Sequence, residues 1–219
     1  MVRKATFTRD DVVRAALSVV EQTSLDALSA RRVADEMGAS TAPVYSNFAS
    51  MEALKAELKE TIAAQLLECT HIRSTENEFL NMGLGVLEFA RSHPGLYCAI
   101  FMASAAEDTV ARRVMADMLG RMARVPELAP LPAVERLILL RKMAIFTHGL
   151  AAQLCAGLAE SYSWEELELL LAEVGHAMVL DAVGRGERSA EEIALLGTLC
   201  DGTTLTESGN DIIGKGDME

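Results

Sequence analysis

Leu28-Ser-Ala-Arg-Arg-Val-Ala-Asp-Glu-Met-Gly-Ala-Ser-Thr-Ala-Pro-Val-Tyr-Ser-Asn-Phe48 is the stretch that decides the fold. Ser29 is placed to cap a short helix whose Val33, Ala34 and Met37 point inward. Gly38 stops that helix, since glycine enters the left-handed conformation without steric cost. Ser40 is placed to cap a second short helix. Pro43 then falls at its third position, inside the first turn, where a backbone N–H has no intrahelical partner to lose. Val44 and Phe48 are four apart and share one face, the buried one. At about 100° per residue, Ala42 and Ser46 point most directly outward. Pro43 and Tyr45 lie beside them, with Thr41 and Asn47 nearer the edges.

Two short helices around a three-residue turn containing glycine predict a helix-turn-helix. The second helix is short and displays small and hydrogen-bonding groups. Those dimensions suit the major groove of a nucleic-acid duplex. A generic helical hairpin would show the same spacing. Ser50 as a further cap, with Met51-Glu-Ala-Leu54 opening another helix at once, adds a third element in register.

The surrounding chain reads as about nine or ten helices with no strand, an all-α protein. Thr8 is a plausible N-cap, with Asp10 and Asp11 in the first turn against the helix dipole. Phe7 and Val12 stand where a hydrophobic staple places them. Val12, Val13, Ala16, Leu17 and Val20 make an apolar face at helical spacing. Later caps of the S/T-x-x-E type are Thr75 with Glu78, Ser163 with Glu166 and Ser189 with Glu192. Breaks fall at 70–74, 92–95, 125–132, 158–163 and 184–188. The segments 134–158 and 164–183 read as long helices, apolar on two sides and studded with Ala and Gly. Such helices need cover on two sides. A second subunit would supply it across a four-helix interface, as would the interior of a monomer. From Asp201 the chain is rich in Gly, Thr and acidic residues, and a frayed tail is expected over 201–219.

Composition agrees with this architecture. Of 219 residues, 50% are hydrophobic and only 5% aromatic, which favours helix over a β-sandwich and excludes wholesale disorder. The net charge is −12. The first fifty residues carry Arg3, Lys4, Arg9, Arg14, Arg31 and Arg32 against six acidic residues and are neutral, so the whole excess lies downstream. A phosphate backbone is tolerated by the first part and repelled by the second. The N-terminus has no apolar h-region, and the longest uncharged apolar run, 143–159, is shorter than the roughly 20 residues of a membrane span. A cytoplasmic protein without a membrane segment is expected. Cys69, Cys98, Cys155 and Cys200 are far apart and show no metal-ligand spacing, which predicts buried thiols.

Residues 8–55 resemble the DNA-binding domain of TetR-family transcriptional regulators. That family shows a T-x-R-x-I/V-A core, a G-V-S-x-x-x-L-Y-x-H-F run and then S-K-E-x-L. The matching residues are Ser29, Arg31, Val33, Ala34, Gly38, Ser40, Val44, Tyr45, Phe48, Ser50, Glu52 and Leu54. Asn47 stands where the family usually has His, and Met51 replaces the common Lys; both changes remove a group that favours an anion. The Ser-His-Pro-Gly-Leu-Tyr run at 92–97 and the Phe-Thr-His-Gly-Leu-Ala run at 146–151 resemble stretches in many members' C-terminal domains.

The resemblance implies a helix-turn-helix domain over 1–55 and a helical effector-binding and dimerisation domain over 56–200. It implies a homodimer on a palindromic double-stranded DNA operator, released by a small, largely apolar effector. Thr41, Ala42, Pro43 and Ser46 would face base edges, with Asn47 at the rim. Tyr45, Ser29, Ser40 and Arg31 would meet phosphate, and Arg3 and Lys4 would form an arm towards a groove. The effector cavity would be walled by helices from about 76 to 158. Its candidate lining is Phe89, Tyr97, Phe101, Met102, Met143, Phe146 and His148, for each of which a core position is the commoner role.

No cofactor and no metal are expected. The four histidines, at 71, 93, 148 and 176, are dispersed, and no GxSxG, P-loop, HExxH or dinucleotide fingerprint appears, which argues against an enzyme. The alternative function is a helical interaction protein whose helix-turn-helix no longer binds DNA.

Overall fold

The computed structural model describes residues 7–101, 109–157, 162–185, 188–189, 191–192, 203–205 and 212–214. Helix α1 (Arg9–Gln22) opens on a reciprocal cap. The Thr8 Oγ1 accepts from the Asp11 N–H at 3.2 Å, while the Asp11 carboxylate accepts from the Thr8 N–H at 2.9 Å. Helix α9 (Trp164–Gly184) opens in the same way on Ser163 and Glu166. The donated backbone hydrogen bonds hold both carboxyls below their ordinary range. Their folded values are depressed, so the stabilisation is complete above the unfolded carboxylate range, about pH 4. It is lost as pH falls on through the lower folded values. The variant carrying both Asp11→Asn and Glu166→Gln is therefore expected to lose less Tm than wild type between about pH 6 and pH 3; an equal loss would contradict the assignment.

Helix α2 (Ala30–Glu36) and helix α3 (Ala42–Asn47) pack against α1. Ser29 caps α2 as expected, its Oγ accepting from the Arg32 N–H at 3.4 Å. Gly38 takes φ +61° in the turn, the left-handed conformation the sequence required. The start of α3 differs from expectation. Its N-cap is Thr41, not Ser40, and no side chain caps it. Thr41 is already helical at φ −71° and ψ −9°. The second helical position, which a cap side chain often reaches, is Pro43, which has no N–H to offer. Val44 and Phe48 are both buried and belong to the same apolar core as Val12, Ala16 and Val20 of α1.

Helix α4 (Met51–Thr70) begins at Ser50, whose Oγ accepts from the Ala53 N–H at 3.1 Å. It runs unbroken past residue 55, so the N-terminal unit and the remainder share one helix. Helix α5 (Glu78–Ser92) is capped by Asn77, not by Thr75 as expected. Thr75 is held instead by Asn81, whose Oδ1 accepts from the Thr75 N–H at 2.8 Å and from its hydroxyl at 2.9 Å. Helices α6 (Pro94–Phe101), α7 (Thr109–Met122), α8 (Ala133–Cys155) and α9 complete the helical body. α5 lies at its centre, packed by α4 on one side and α8 on the other. The chain is all-α in architecture, with an N-terminal helix-turn-helix and a C-terminal helical body.

Two features depart from the sequence reading. Thr203–Leu205 and Ile212–Gly214 form an antiparallel pair, β1 and β2, where a frayed tail without strands was expected. Thr203, Thr204, Ile212 and Ile213 are β-branched and favour the extended backbone. Helix α8 is by length and composition apolar enough to cross a membrane. Half of its most apolar stretch is buried inside the fold, as in a core helix.

Candidate nucleic-acid interface and interior cavity

α3 is a stub of six residues lying on the apolar pair Val44 and Phe48. That pairing turns the opposite side outward. Tyr45 is 59% exposed, and Ser40, Thr41, Ala42 and Ser46 are exposed with it. Pro43 and Asn47 are half-buried at the edges, while Ser29 and Arg31 are exposed at the adjoining start of α2. Arg3, Lys4, Met102 and Cys200 lie outside the described residues.

Two side chains here have more local work than the sequence suggested. The Ser46 hydroxyl donates to the Pro43 carbonyl at 3.0 Å. The Asn47 amide donates to the Pro43 carbonyl at 2.9 Å and to the Phe7 carbonyl at 3.4 Å. Its donor is thus turned towards the start of α1. Arg9 was read only as one positive charge among six. It donates to the Asn47 carbonyl at 2.7 Å, pairs with Glu57 of α4 and lies 4.0 Å over the Phe48 ring. Its charge is neutralised, and it ties α3 to α4. Arg31 and Arg32 form no ion pair among the described residues.

The helical body encloses a cavity of about 740 Å³, within the range of small-molecule sites. Leu80 and Val86 of α5, Met118 of α7 and Leu171 of α9 supply apolar wall. Of the expected lining, Tyr97, Phe101, Met143 and His148 are in place. Phe146 is not. On α8 the lining centres on Ala144, and Phe146 lies about 200° round the helix from it. Phe89 is not either, because the lining of α5 ends at Val86, nearly one turn earlier. The Phe89 ring packs instead against His93, at 5.4 Å between centroids. Sequence reasoning passed over Arg141 and Thr147 on α8, and all of α9. Helical phase from His148 would have found Arg141, two turns away on the same face.

The Tyr97 hydroxyl lies 3.0 Å from His148 Nδ1. Burial pushes the Tyr97 phenol up, so it stays protonated. We assign its O–H as donor to Nδ1, which leaves His148 Nε2–H as a donor in the polar corner of the cavity. The Tyr97 ring packs 4.8 Å from that of Phe101.

α6 joins this cavity to the helix-turn-helix. Glu21 of α1 accepts from the Gly95 N–H at 2.9 Å and from the Leu96 N–H at 3.3 Å, capping the first turn of α6. Its backbone also lies against Gly95, where a Cβ would meet the Glu21 carbonyl oxygen at 2.2 Å. The same short helix places Tyr97, in its first turn, and Phe101, at its far end, in the cavity wall. Gly95 falls in the run singled out at 92–97, but Glu21 carried no motif, and their contact spans 74 residues of sequence.

On α9, Leu169, Leu180 and Val183 are exposed, and on α8 Ile145 is exposed by 67% at the border of the cavity. Among the described residues no cluster of three or more His, Cys, Asp or Glu side chains could hold a metal ion. Cys69, Cys98 and Cys155 are half-buried free thiols, and burial pushes the Cys155 thiol up to about 12, so it is a poor nucleophile at neutral pH.

No protein-family model matches the chain, and no curated protein matches it. Among the solved structures that align with it, two do so over most of both lengths. One is TetR-Q116A from Acinetobacter baumannii AYE in complex with minocycline, 16% identical over 92% of this chain and 98% of that one, with a TM-score of 0.46. The other is a putative transcriptional regulator TetR family protein from Vibrio parahaemolyticus, 16% identical over 88% of this chain and 96% of that one, with a TM-score of 0.44. The functional reading rests on the chain's own geometry.

Proposed function

We propose that the protein is a DNA-binding transcriptional regulator, a ligand-responsive repressor that binds a palindromic operator as a homodimer in the cytoplasm. The observation that carries this reading is the outward side of α3. A six-residue helix whose buried face is fixed by Val44 and Phe48 presents Thr41, Ala42, Tyr45 and Ser46 to solvent beside Ser29 and Arg31. Ala42 and Pro43 offer apolar contact to a thymine methyl, and Thr41 and Ser46 offer hydroxyls to base edges. Tyr45, Ser29, Ser40 and Arg31 are assigned to phosphate. Arg3 and Lys4 precede α1 and are assigned to an arm along the adjoining groove.

Dimerisation is assigned to α8 and α9. The apolar residues exposed there outside the cavity lining, Leu169, Leu180 and Val183, need cover, and a two-fold axis through the pair gives a four-helix interface. The cavity is assigned to the effector. A ligand against Tyr97 and Phe101 bears on α6, and the Glu21 grip on its first turn passes any shift to α1. To release DNA, the ligand must bind one arrangement of the two recognition helices better than the other. A coupling of about 1–3 kcal/mol changes operator affinity 5- to 150-fold.

Binding assays on a duplex selected by the protein test the residue assignments. Tyr45→Phe is expected to weaken binding to all sequences alike. Ser46→Ala or Thr41→Val is expected to change which base is preferred, by about 1–3 kcal/mol at one position of each half-site. No loss from either class would remove the assignment.

A second reading, a helix-turn-helix without DNA, draws on the pairing of Arg9 with Glu57 and of Arg14 with Asp11, which removes two of the four described cations of the first fifty residues. Salt separates the two readings, since phosphate contacts make affinity fall steeply with ionic strength.

A further inference from the structure

Among the described residues, two arginines have an Nε shut off from solvent without a hydrogen bond, Arg121 and Arg141, and only Arg121 has a carboxylate beside it, Glu78 at 3.5 Å. Arg121 is buried and donates to the Thr70 hydroxyl at 2.9 Å and to the Thr70 carbonyl at 2.8 Å. Arg188 pairs with Glu135 at 2.6 Å, both side chains nearly inaccessible. Arg141 has no such partner. It is half-buried on α8 and lines the cavity. Its Nε is shut off from solvent without a hydrogen bond. No carboxylate among the described residues lies within ion-pairing distance of it. The neighbouring cation, Lys142, points elsewhere and meets Asp181 at 3.3 Å. Glu127 also lines the cavity, but it is exposed and forms no pair with Arg141.

A guanidinium is always charged and presents a planar fork of donors matched to a carboxylate. Leaving such a donor buried and unpaired is costly, and that cost is recovered by whatever pairs with it. The walls around it select the rest of the molecule. Leu80, Val86, Val114, Met118, Leu128 and Leu171 are all apolar. Arg141, Ala144 and His148 stand at positions i, i+3 and i+7 on one face of α8, with the small Ala144 leaving room between the two polar ends. Those ends are about 10 Å apart along the helix.

We infer that the cavity binds an anionic, otherwise apolar molecule, a monocarboxylate whose head group pairs with Arg141 and whose body extends along α8 towards the Tyr97–His148 pair. The inference deepens the reading of the cavity as the effector site and rests on it. It also fits the charge of the chain. An anion is disfavoured near a body carrying the full −12 unless a local cation receives it, so Arg141 confers selectivity as well as affinity.

The test uses the purified full-length protein and titration calorimetry with three probes of one length: octanoate, octan-1-ol and octylammonium. Decanoate and 4-phenylbutanoate, each against its alcohol, extend the series. Octanoate is expected to bind at least tenfold more tightly than octan-1-ol, and octylammonium most weakly. Arg141→Met is expected to abolish the preference for acid over alcohol while leaving alcohol affinity unchanged. Arg141→Lys, which keeps the charge, is expected to retain most of the preference. Ala144→Phe, which fills the space between the two polar ends, is expected to weaken acid and alcohol alike. Equal affinity for acid and alcohol in the wild type, an undiminished preference in Arg141→Met, or no binding of any acid overturns the inference. The wild-type comparison decides even if Arg141→Met does not fold. A parallel titration on the selected duplex keeps the two readings apart. Acid preference without any change in duplex affinity upholds the ligand class and removes its role as effector. Duplex binding without binding of any acid does the reverse.

Discussion

Gly95→Ala is expected to break the junction between α1 and α6. The added Cβ would lie 2.2 Å from the Glu21 carbonyl oxygen and 2.7 Å from the Glu21 carbonyl carbon and Cα. These are backbone atoms inside α1, so no side-chain rotation relieves the overlap. The first turn of α6 must move off, and the hydrogen bonds from the Gly95 and Leu96 N–H groups to the Glu21 carboxylate go with it. Overpacking alone costs about 1–3 kcal/mol. Each lost bond to a charged acceptor adds roughly 1.5 kcal/mol or more. Denaturant unfolding of the variant reads this directly. A second consequence separates junction from core. Ligand affinity should survive in larger part in the folded variant, because of the cavity wall only Tyr97 lies in the displaced turn and most of the lining comes from α5, α7, α8 and α9, while the ligand's effect on duplex binding should fall or vanish. Glu21→Gln keeps the backbone fit and weakens only the cap, so it is expected to show the same change in coupling at smaller cost in stability. Wild-type stability and coupling in Gly95→Ala would show that the junction does not have this role.

Phe48→Ala carries the other large effect. The ring is 2% exposed, packed with Val44 against the α1 core and covered by the Arg9 guanidinium at 4.0 Å. Truncation opens a cavity beneath the outward helix at a cost of about 3–5 kcal/mol. The loss falls on the unit formed by α1, α2 and α3, whose core is small. Duplex binding should disappear well below the global unfolding transition, with the cavity's ligand still bound. Phe48→Leu keeps most of the volume and is expected to restore duplex binding in large part. Thermal melts followed together with duplex binding test this. Full duplex affinity in Phe48→Ala would mean that α3 does not depend on that contact.

Much of the N-terminal unit was legible because its signals are local. Thr8 with Asp11, Ser29, Gly38 and Ser50 each act within four residues, and each does in the structure what its spacing implied. The failures at Ser40 and Thr75 were choices between neighbouring cap residues. Backbone conformation at Thr41 decided one, and the long reach of the Asn81 side chain decided the other. The cavity was legible in part. Tyr97, Phe101, Met143 and His148 were found, while Phe89 and Phe146 were assigned by residue type although helical phase turns one out of the lining and distance along α5 removes the other. Arg141 was legible from helical phase and passed over, whereas Glu21 and the Glu57 partner of Arg9 were not legible, because each matters through a group on another helix. The exposure of Ile145, Leu169, Leu180 and Val183 follows from how α8 and α9 pack, which the two-sided apolar pattern of those helices left open.

Selection from a random duplex pool, with the bound sequences read directly, tests the central claim. The account predicts enrichment of two inverted half-sites whose centres are separated by one helical turn, about 34–36 Å, or a multiple of it, since two copies of α3 must enter grooves on one face of the duplex. A pool that returns no enriched sequence at low salt, or a lone half-site without its inverted mate, would contradict it.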